Sequence, residues 1–233
     1  MGTDIHLQAE AFHDGKWIEI NSEVFKNNNI LNKEMSSEEQ QKAILDFWDN
    51  NPVNRSYLLF AFLADVRNGR GFAGLKTFNP IKPISAPRGL PFDPNGSTCE
   101  WDDEDDYLHS MTHFTLDELL SHSGWAMNIK NNGCVPSEDW KAYLSSQESE
   151  KPLPCPDTYS AGVSGNNVKI VDESDFDKVV LSDDTEVYVR ASWTEKEPLK
   201  HTSFWSWLNS EKVDKVIQKY GSSNVRLNIA FDN

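Results

Sequence analysis

The chain has 233 residues, 38% of them hydrophobic and including 8 Trp and 12 Phe, which is enough for a packed core and excludes global disorder. Asp and Glu number 37 against 22 Lys and Arg, a net charge of −15 that repels nucleic-acid phosphates and disfavours direct nucleic-acid binding. Besides keeping the protein soluble, that charge favours a small ligand held in a local basic pocket, a metal ion or a basic protein partner.

Residues 3–12 alternate, with Ile5, Leu7, Ala9 and Ala11 on one face and Asp4, His6, Gln8 and Glu10 on the other, which predicts a strand. Asp14-Gly15 is the favoured two-residue hairpin turn, and residues 16–21 read as the return strand. Ser36-x-x-Glu39 is a capping box that predicts a helix over residues 37–48, with Ala43, Ile44, Phe47 and Trp48 as its apolar stripe and Asn51-Pro52 as its end. Asn54 is expected to cap a second helix that Asn68-Gly69 stops. From Tyr57 to Val66 this stretch is apolar on nearly every face, the mark of a helix enclosed by protein. It is too short to span a bilayer. Arg55, Asp65 and Arg67 beside it must be paired or reach a cleft.

Pro80, Pro83, Pro87, Pro91 and Pro94 make residues 69–96 a stiff, extended loop. It either presents Arg88, on a Gly-containing turn, to a ligand or simply covers the core. Residues 100–106 are an acidic run without the Gly and spaced ligands of an EF-hand. Thr115-x-x-Glu118 is a capping box for a short helix ending near His122. Residues 124–166 have weak periodicity and read as irregular. Short strands are predicted at 167–171, 179–181 and 186–194, then a helix from Thr202 or Ser203 to Tyr220 stopped by Gly221, and a last strand bearing Val225, Leu227, Ile229 and Phe231.

Hairpins dominate and no strand–helix–strand rhythm recurs. The fold class is therefore α+β, a mainly antiparallel sheet packed against a buried central helix, with a less regular C-terminal lobe. Residues 1–125 form the core, 126–166 an irregular insertion, and 167–233 the strands and helix that complete the sheet, one domain overall.

Cys99, Cys134 and Cys155 are widely spaced, with no CxxC pair and no zinc spacing, and the odd count suits a reducing compartment. No apolar signal core opens the chain and no run is long enough to span a membrane, so a cytoplasmic protein is expected. His6 at the sixth position excludes a myristoylation signal at Gly2.

Asp4 and His6, two apart on a strand, point the same way, so the carboxylate can orient the imidazole as a base or share a metal with it. His109 and the acidic run could complete a metal site. Arg55, Arg67 and Arg88 carry the planar fork that holds phosphate or carboxylate, although salt bridges to Asp65 and Asp93 would use them up. His113-Phe114-Thr115 and His201-Thr202-Ser203 match the paired H-x-[ST] form of the 2H phosphoesterases, but both run into helix caps where that fold uses strands. No P-loop, G-x-G-x-x-G, HExxH or G-x-S-x-G occurs.

Met1-Gly2-Thr3-Asp4-Ile5-His6, the DGKW of residues 14–17, the block at 55–69, the PRGLPFD of 87–93, His109-Ser110 and the TLDEL of 115–119 together resemble an uncharacterised family encoded mainly by phages and prophages. The resemblance covers the first 120 residues and is absent after them. Thr3 stands where that family has Cys, which removes a thiol ligand or nucleophile. The resemblance implies a phage accessory protein in a bacterial host cytoplasm. Its shared motifs hold Asp4, His6, Arg55, Asp65, Arg67, Asn68, Arg88 and His109.

The leading expectation is a pocket where the first strand, the end of the central helix and the Pro-rich loop meet. There Arg67 and Arg88, with Arg55, Asp65 and Asn68, would hold a small anionic, nucleotide-like ligand, and Asp4, His6 and His109 would orient or hydrolyse it. For a phage protein, removing a host immune nucleotide signal is a sensible counter-defence use, by analogy. One alternative is a non-enzymatic acidic inhibitor that mimics nucleic acid and occupies a basic groove on a host protein. Another is a metal-dependent hydrolase built on Asp4, His6 and His109.

Overall fold

The computed structural model describes residues 3–25, 55–71, 74–95, 98, 101, 108–178 and 185–232. The predicted helix at 37–48, the strand at 179–181 and all of the acidic run except Trp101 lie outside them.

The opening hairpin forms as expected. Strand β1 (Ile5–His13) pairs antiparallel with β2 (Lys16–Glu19), and Asp14 and Gly15 turn the chain with φ of 50° and 79°. Two successive left-handed residues match the twist of the flanking strands, hence the Asp-Gly pair. A four-residue helix, α1 (Asn21–Val24), follows.

The central helix is α2 (Tyr57–Ala64). Its cap is Ser56, whose Oγ accepts the Leu59 N–H at 3.3 Å. The helix ends at Asp65, which is left-handed at φ 60° and donates its N–H to Ala61 O at 3.0 Å, several residues before the expected Asn68-Gly69 stop. Residues Leu59 to Ala64 are all buried. That enclosure follows from side chains apolar all round the axis.

Strand β3 (His109–Thr115) leads through the Thr115–Glu118 capping box into α3 (Leu116–Ser121). The predicted last helix is two: α5 (Ser203–Leu208), capped by Thr202, and α6 (Glu211–Tyr220), capped by Ser210 and ended at Gly221. The break falls where Asn209 and Ser210 offer side-chain partners that compete with helical ladder bonds. Strand β7 (Val225–Phe231) then enters the middle of an antiparallel sheet of order β2-β1-β7-β3. Every residue of β7 is buried. Its core face packs on α2, with the Phe60 and Phe231 rings 5.2 Å apart. Trp125 links Phe62 at 4.7 Å to Trp205 at 4.8 Å.

The outer face of this sheet lies beneath the Pro-rich loop, which is mainly a cover. Gly89 N donates to Met111 O at 2.9 Å and Asn95 N to Glu10 Oε1 at 2.7 Å. Arg226 on β7 gives Nε to Glu10 Oε2 at 2.7 Å, Nη1 to Asp93 Oδ1 at 3.0 Å and Nη2 to Asp93 O at 2.7 Å, and its guanidinium lies 3.8 Å from the Trp17 ring centre. Arg226 thus takes the Asp93 carboxylate that sequence spacing offered to Arg88.

Residues 126–166 are irregular only in their second half. They contain β4 (Ile129–Pro136) and α4 (Ser137–Ser146). The following strands do not complete the first sheet: β5 (Val168–Asp172) and β6 (Glu186–Glu195) join β4 in a second sheet of order β4-β6-β5. The β5–β6 pair is parallel and β4–β6 antiparallel. A strand is hard to read in β4 because Asn131 and Gly133 occupy two of its inward positions. Gly133 sits where a Cβ would come 2.8 Å from Ser160 O, so close backbone approach excludes a larger residue. Trp140, Val189 and Trp193 form this sheet's own core. The α+β class therefore holds, with two sheets in place of one. No helix among the described residues is long and apolar enough to cross a membrane.

Candidate functional site

The expected site residues gather only in part. Arg55 grips Asp4 with both prongs, Nε to Oδ1 at 2.8 Å and Nη2 to Oδ2 at 2.6 Å. Asp232, just past β7, accepts the Asp4 N–H at 2.9 Å and lies 3.1 Å from His6 Nε2. Burial works to raise the Asp232 carboxyl, but the Asp4 N–H, His6 and the Arg55 charge together hold it below the usual range. Arg67 donates Nε to the buried Thr3 Oγ1 at 2.9 Å and lies 5.6 Å from the Tyr57 ring centre. Asp4, His6, Arg55 and Arg67 thus meet at one end of the first sheet. His109 stands at the same end on β3, paired with Phe231, which also pairs with Ile5. Its Nδ1 is 2.9 Å from Ser110 Oγ, and its Nε2 is buried without a hydrogen-bond partner among the described residues.

The other expected residues go elsewhere. Arg88 is at the far end of β3, bonded to Glu118 Oε1 at 2.8 Å and to His113 O at 3.3 Å, so it forms no anion fork with Arg67. Burial works to raise the Glu118 carboxyl, yet the Thr115 N–H and Arg88 bring it below the usual range. Asp65 and Asn68 form a brace. Asn68 Nδ2 donates to Asp65 Oδ1 at 2.6 Å and to Ile81 O at 2.7 Å, while its Oδ1 accepts the Ile81 N–H at 2.9 Å. The expected pocket of Arg67, Arg88, Asp65 and Asn68 is therefore corrected: three of these side chains secure the Pro-rich loop where it packs on the rest of the fold.

A cleft of about 540 Å³ opens instead between the start of α2 and the second sheet. Arg55, Tyr57, Asn131, Tyr159, Glu195 and His201 are among its lining residues. Residues 77–79 cross its floor, with Asn132 N donating to Thr77 O at 2.7 Å and Asn79 N to Lys130 O at 2.9 Å. Ser160 exchanges backbone bonds of 2.8 and 3.0 Å with Cys134, which fixes Tyr159 at the rim. There its ring meets Trp193 edge-on at 4.8 Å while remaining exposed to solvent.

Glu195 ends β6. Its Oε2 accepts Asn131 Nδ2 at 2.9 Å. Burial raises its carboxyl, the Asn131 bond and the His201 charge pull the other way, and the net shift is upward. Burial, with Glu195 and Cys155 nearby, raises the Tyr159 phenol too. Thr77 Oγ1 and Asn132 Nδ2, on residues lining the cleft, have no hydrogen-bond partner among the described residues. Buried polar atoms left in that condition are uncommon and mark places where a ligand or solvent completes the structure.

Sequence reasoning did not identify Glu195, Asn131, Tyr159 or Asp232. Glu195 and His201 flank a run of mixed charges that reads as solvated surface, and the one available signal was the H-x-[ST] triplet at His201. The two triplets do not converge: His113 Nδ1 lies 3.0 Å from Gly89 O beneath the Pro-rich loop, whereas His201 lines the cleft. Thr115 and Thr202 are both helix caps. Among the described residues, no group of three or more His, Cys, Asp or Glu is placed to hold a metal ion.

No protein-family profile, curated protein or solved structure matches the chain.

Proposed function

We propose that the cleft binds a small anionic, nucleotide-like ligand. The observation that carries this is a single 540 Å³ cavity with a guanidinium at one lip and a half-buried carboxyl, an exposed tyrosine ring and two amide side chains on the other walls. That volume fits a ligand of nucleotide size. Arg55 meets the anion while Asp4 holds its fork in place. Tyr159 offers a ring face for stacking, and Asn131 and Asn132 supply amide edges. Asp4, His6 and Asp232 orient Arg55 from behind, and His201 lines the cleft as the group able to move a proton at a bound ester. The resemblance of the first 120 residues to phage-encoded chains supports a counter-defence setting, the capture or destruction of a host nucleotide signal.

Isothermal titration against cyclic and linear nucleotides tests this. At least one is expected to bind, Arg55→Ala is expected to weaken it by about 10- to 100-fold, the loss of a charge-assisted hydrogen bond, and Arg88→Ala is expected to bind as wild type. Silence across the series, or an Arg55→Ala protein of unchanged affinity, would refute the reading.

One further observation favours a protein partner. Phe92 is wholly exposed, on a loop braced at Arg88, Gly89, Asp93 and Asn95, in a chain of net charge −15. A rigidly held exposed aromatic is the usual anchor of an interface. We propose, as the second reading, an acidic inhibitor that inserts Phe92 into a basic host protein. Phe92→Ala should then abolish a salt-sensitive host complex that Arg55→Ala leaves intact; the opposite pattern rejects it.

A further inference from the structure

We propose that Glu195 meets the ligand as a neutral acid, giving the proton on its free oxygen to a hydrogen-bond acceptor of a nucleobase, so that the cleft takes up a proton as it fills. This rests on the nucleotide reading above and assigns the base-recognising group within it.

The geometry fixes which oxygen acts. Oε2 is occupied by the Asn131 amide at 2.9 Å. Oε1 has no hydrogen bond among the described residues, and the side chain lines the cleft. A carboxylic acid carries one donor and its remaining acceptor capacity. With Asn131 donating to Oε2, the proton belongs on Oε1, directed at whatever occupies the cavity.

The charges around it make the neutral form the one that fills. Tyr159 and Cys155 approach from the segment paired to β4 and carry no positive charge. His201, on the turn Pro198–His201, is exposed. Lys200 on the same turn is held by Glu197 at 3.1 Å. Arg55, steadied by Asp4, meets the ligand's anion and is not among the groups that act on the Glu195 carboxyl. Among the described residues lining the cleft Arg55 is the one lysine or arginine, so none is left there to neutralise an ionised Glu195 once a ligand displaces water. An anionic ligand beside a carboxylate in such a space pays for both desolvation and repulsion, and a proton removes both costs. Burial already raises this carboxyl in the open cleft, and filling the cleft raises it further.

The sign follows. Since the protonated form binds, affinity is level at pH below the carboxyl's value in the empty protein and falls by up to about tenfold for each pH unit above it.

Titration calorimetry with 3′,5′-cyclic AMP and 3′,5′-cyclic GMP, from about pH 5 to about pH 7.5 in buffers of different ionisation enthalpy, reads this directly. The chosen diesters keep one charge throughout, so the ligand adds no titration of its own. Wild type is expected to approach one proton taken up per ligand toward the upper end of the range and to lose about tenfold or more in affinity over it. Glu195→Gln, with an amide donor at every pH, is expected to bind with level affinity near the wild-type value at low pH and to take up no proton. Binding without proton uptake, or a Glu195→Gln protein that keeps the wild-type slope while His201→Gln abolishes it, overturns the assignment and leaves the nucleotide reading standing. If neither diester binds at any pH, the nucleotide reading fails and this inference with it.

Discussion

Arg226→Ala is expected to cost about 3–5 kcal/mol of folding stability, the range for breaking a buried ion pair by removing one partner. The side chain is 6% exposed and its Glu10 partner 0%. Deleting the guanidinium leaves the Glu10 carboxylate enclosed between sheet and loop, with the Asn95 N–H at 2.7 Å as its remaining donor among the described residues. It also frees Asp93 and removes the cation from the Trp17 ring, so the loop loses one of its anchors. Against a typical total of about 5–15 kcal/mol, such a loss approaches unfolding. Urea titration followed by far-ultraviolet circular dichroism measures it. The apolar pair Arg226→Met with Glu10→Leu is expected to recover most of the stability, since it removes both charges together. A loss below about 1 kcal/mol for the single variant would place this pair with exposed ones and refute the account.

Phe62→Ala should produce a loss of similar size, about 3–5 kcal/mol, by a different route. Phe62 is fully buried on α2, 4.7 Å from the Trp125 ring and 5.4 Å from His122. A Cβ added at Gly124 would come within 2.6 Å of Phe62 Cε2, so the ring already fills the space to its limit. Truncation opens a void that rigid neighbours cannot collapse into. Trp125 is pinned by its Nε1 bond to Leu119 O at 2.7 Å, and the Phe62 carbonyl itself accepts the Ile84 N–H at 2.8 Å. For a chain of this length the change lowers the melting temperature by roughly 6–20 °C, readable by calorimetry. A shift of a degree or two would mean that the helix is not the rigid centre of the fold.

Much of the first sheet was legible in advance because its signals are local. Alternation gave β1 and β7, Asp14-Gly15 gave the hairpin, and Thr115 with Glu118 gave the start of α3. The uniform apolarity of residues 57–66 announced α2 as enclosed, although its termini were misplaced, since Ser56 and Asp65 look no more decisive than Asn54 and Asn68 without a fold around them. The second sheet was not legible. In β4 the inward positions include Asn131, which faces the cleft and bonds Glu195, so function breaks the apolar rhythm that would have announced a strand. The candidate site divided along the same line. Asp4, His6 and Arg55 were identifiable as polar groups beside an apolar segment, and they do meet. Asp232, their common partner, is 226 residues from His6, and nothing in local sequence connects positions so distant. Arg88 was misread for the converse reason: a guanidinium on a stiff loop looks available until the helix start it braces is known.

The placement of β7 bears on how the polypeptide is made. It is the last of the first sheet's strands to leave the ribosome, yet it lies between β1, among the earliest, and β3. Through most of translation the opening hairpin therefore waits with an unsatisfied edge and an uncovered greasy side, while the other sheet, drawn from residues 129–195, can assemble beforehand. Such an order leaves the edge of the nascent opening hairpin open to pairing with other chains until the closing strand arrives.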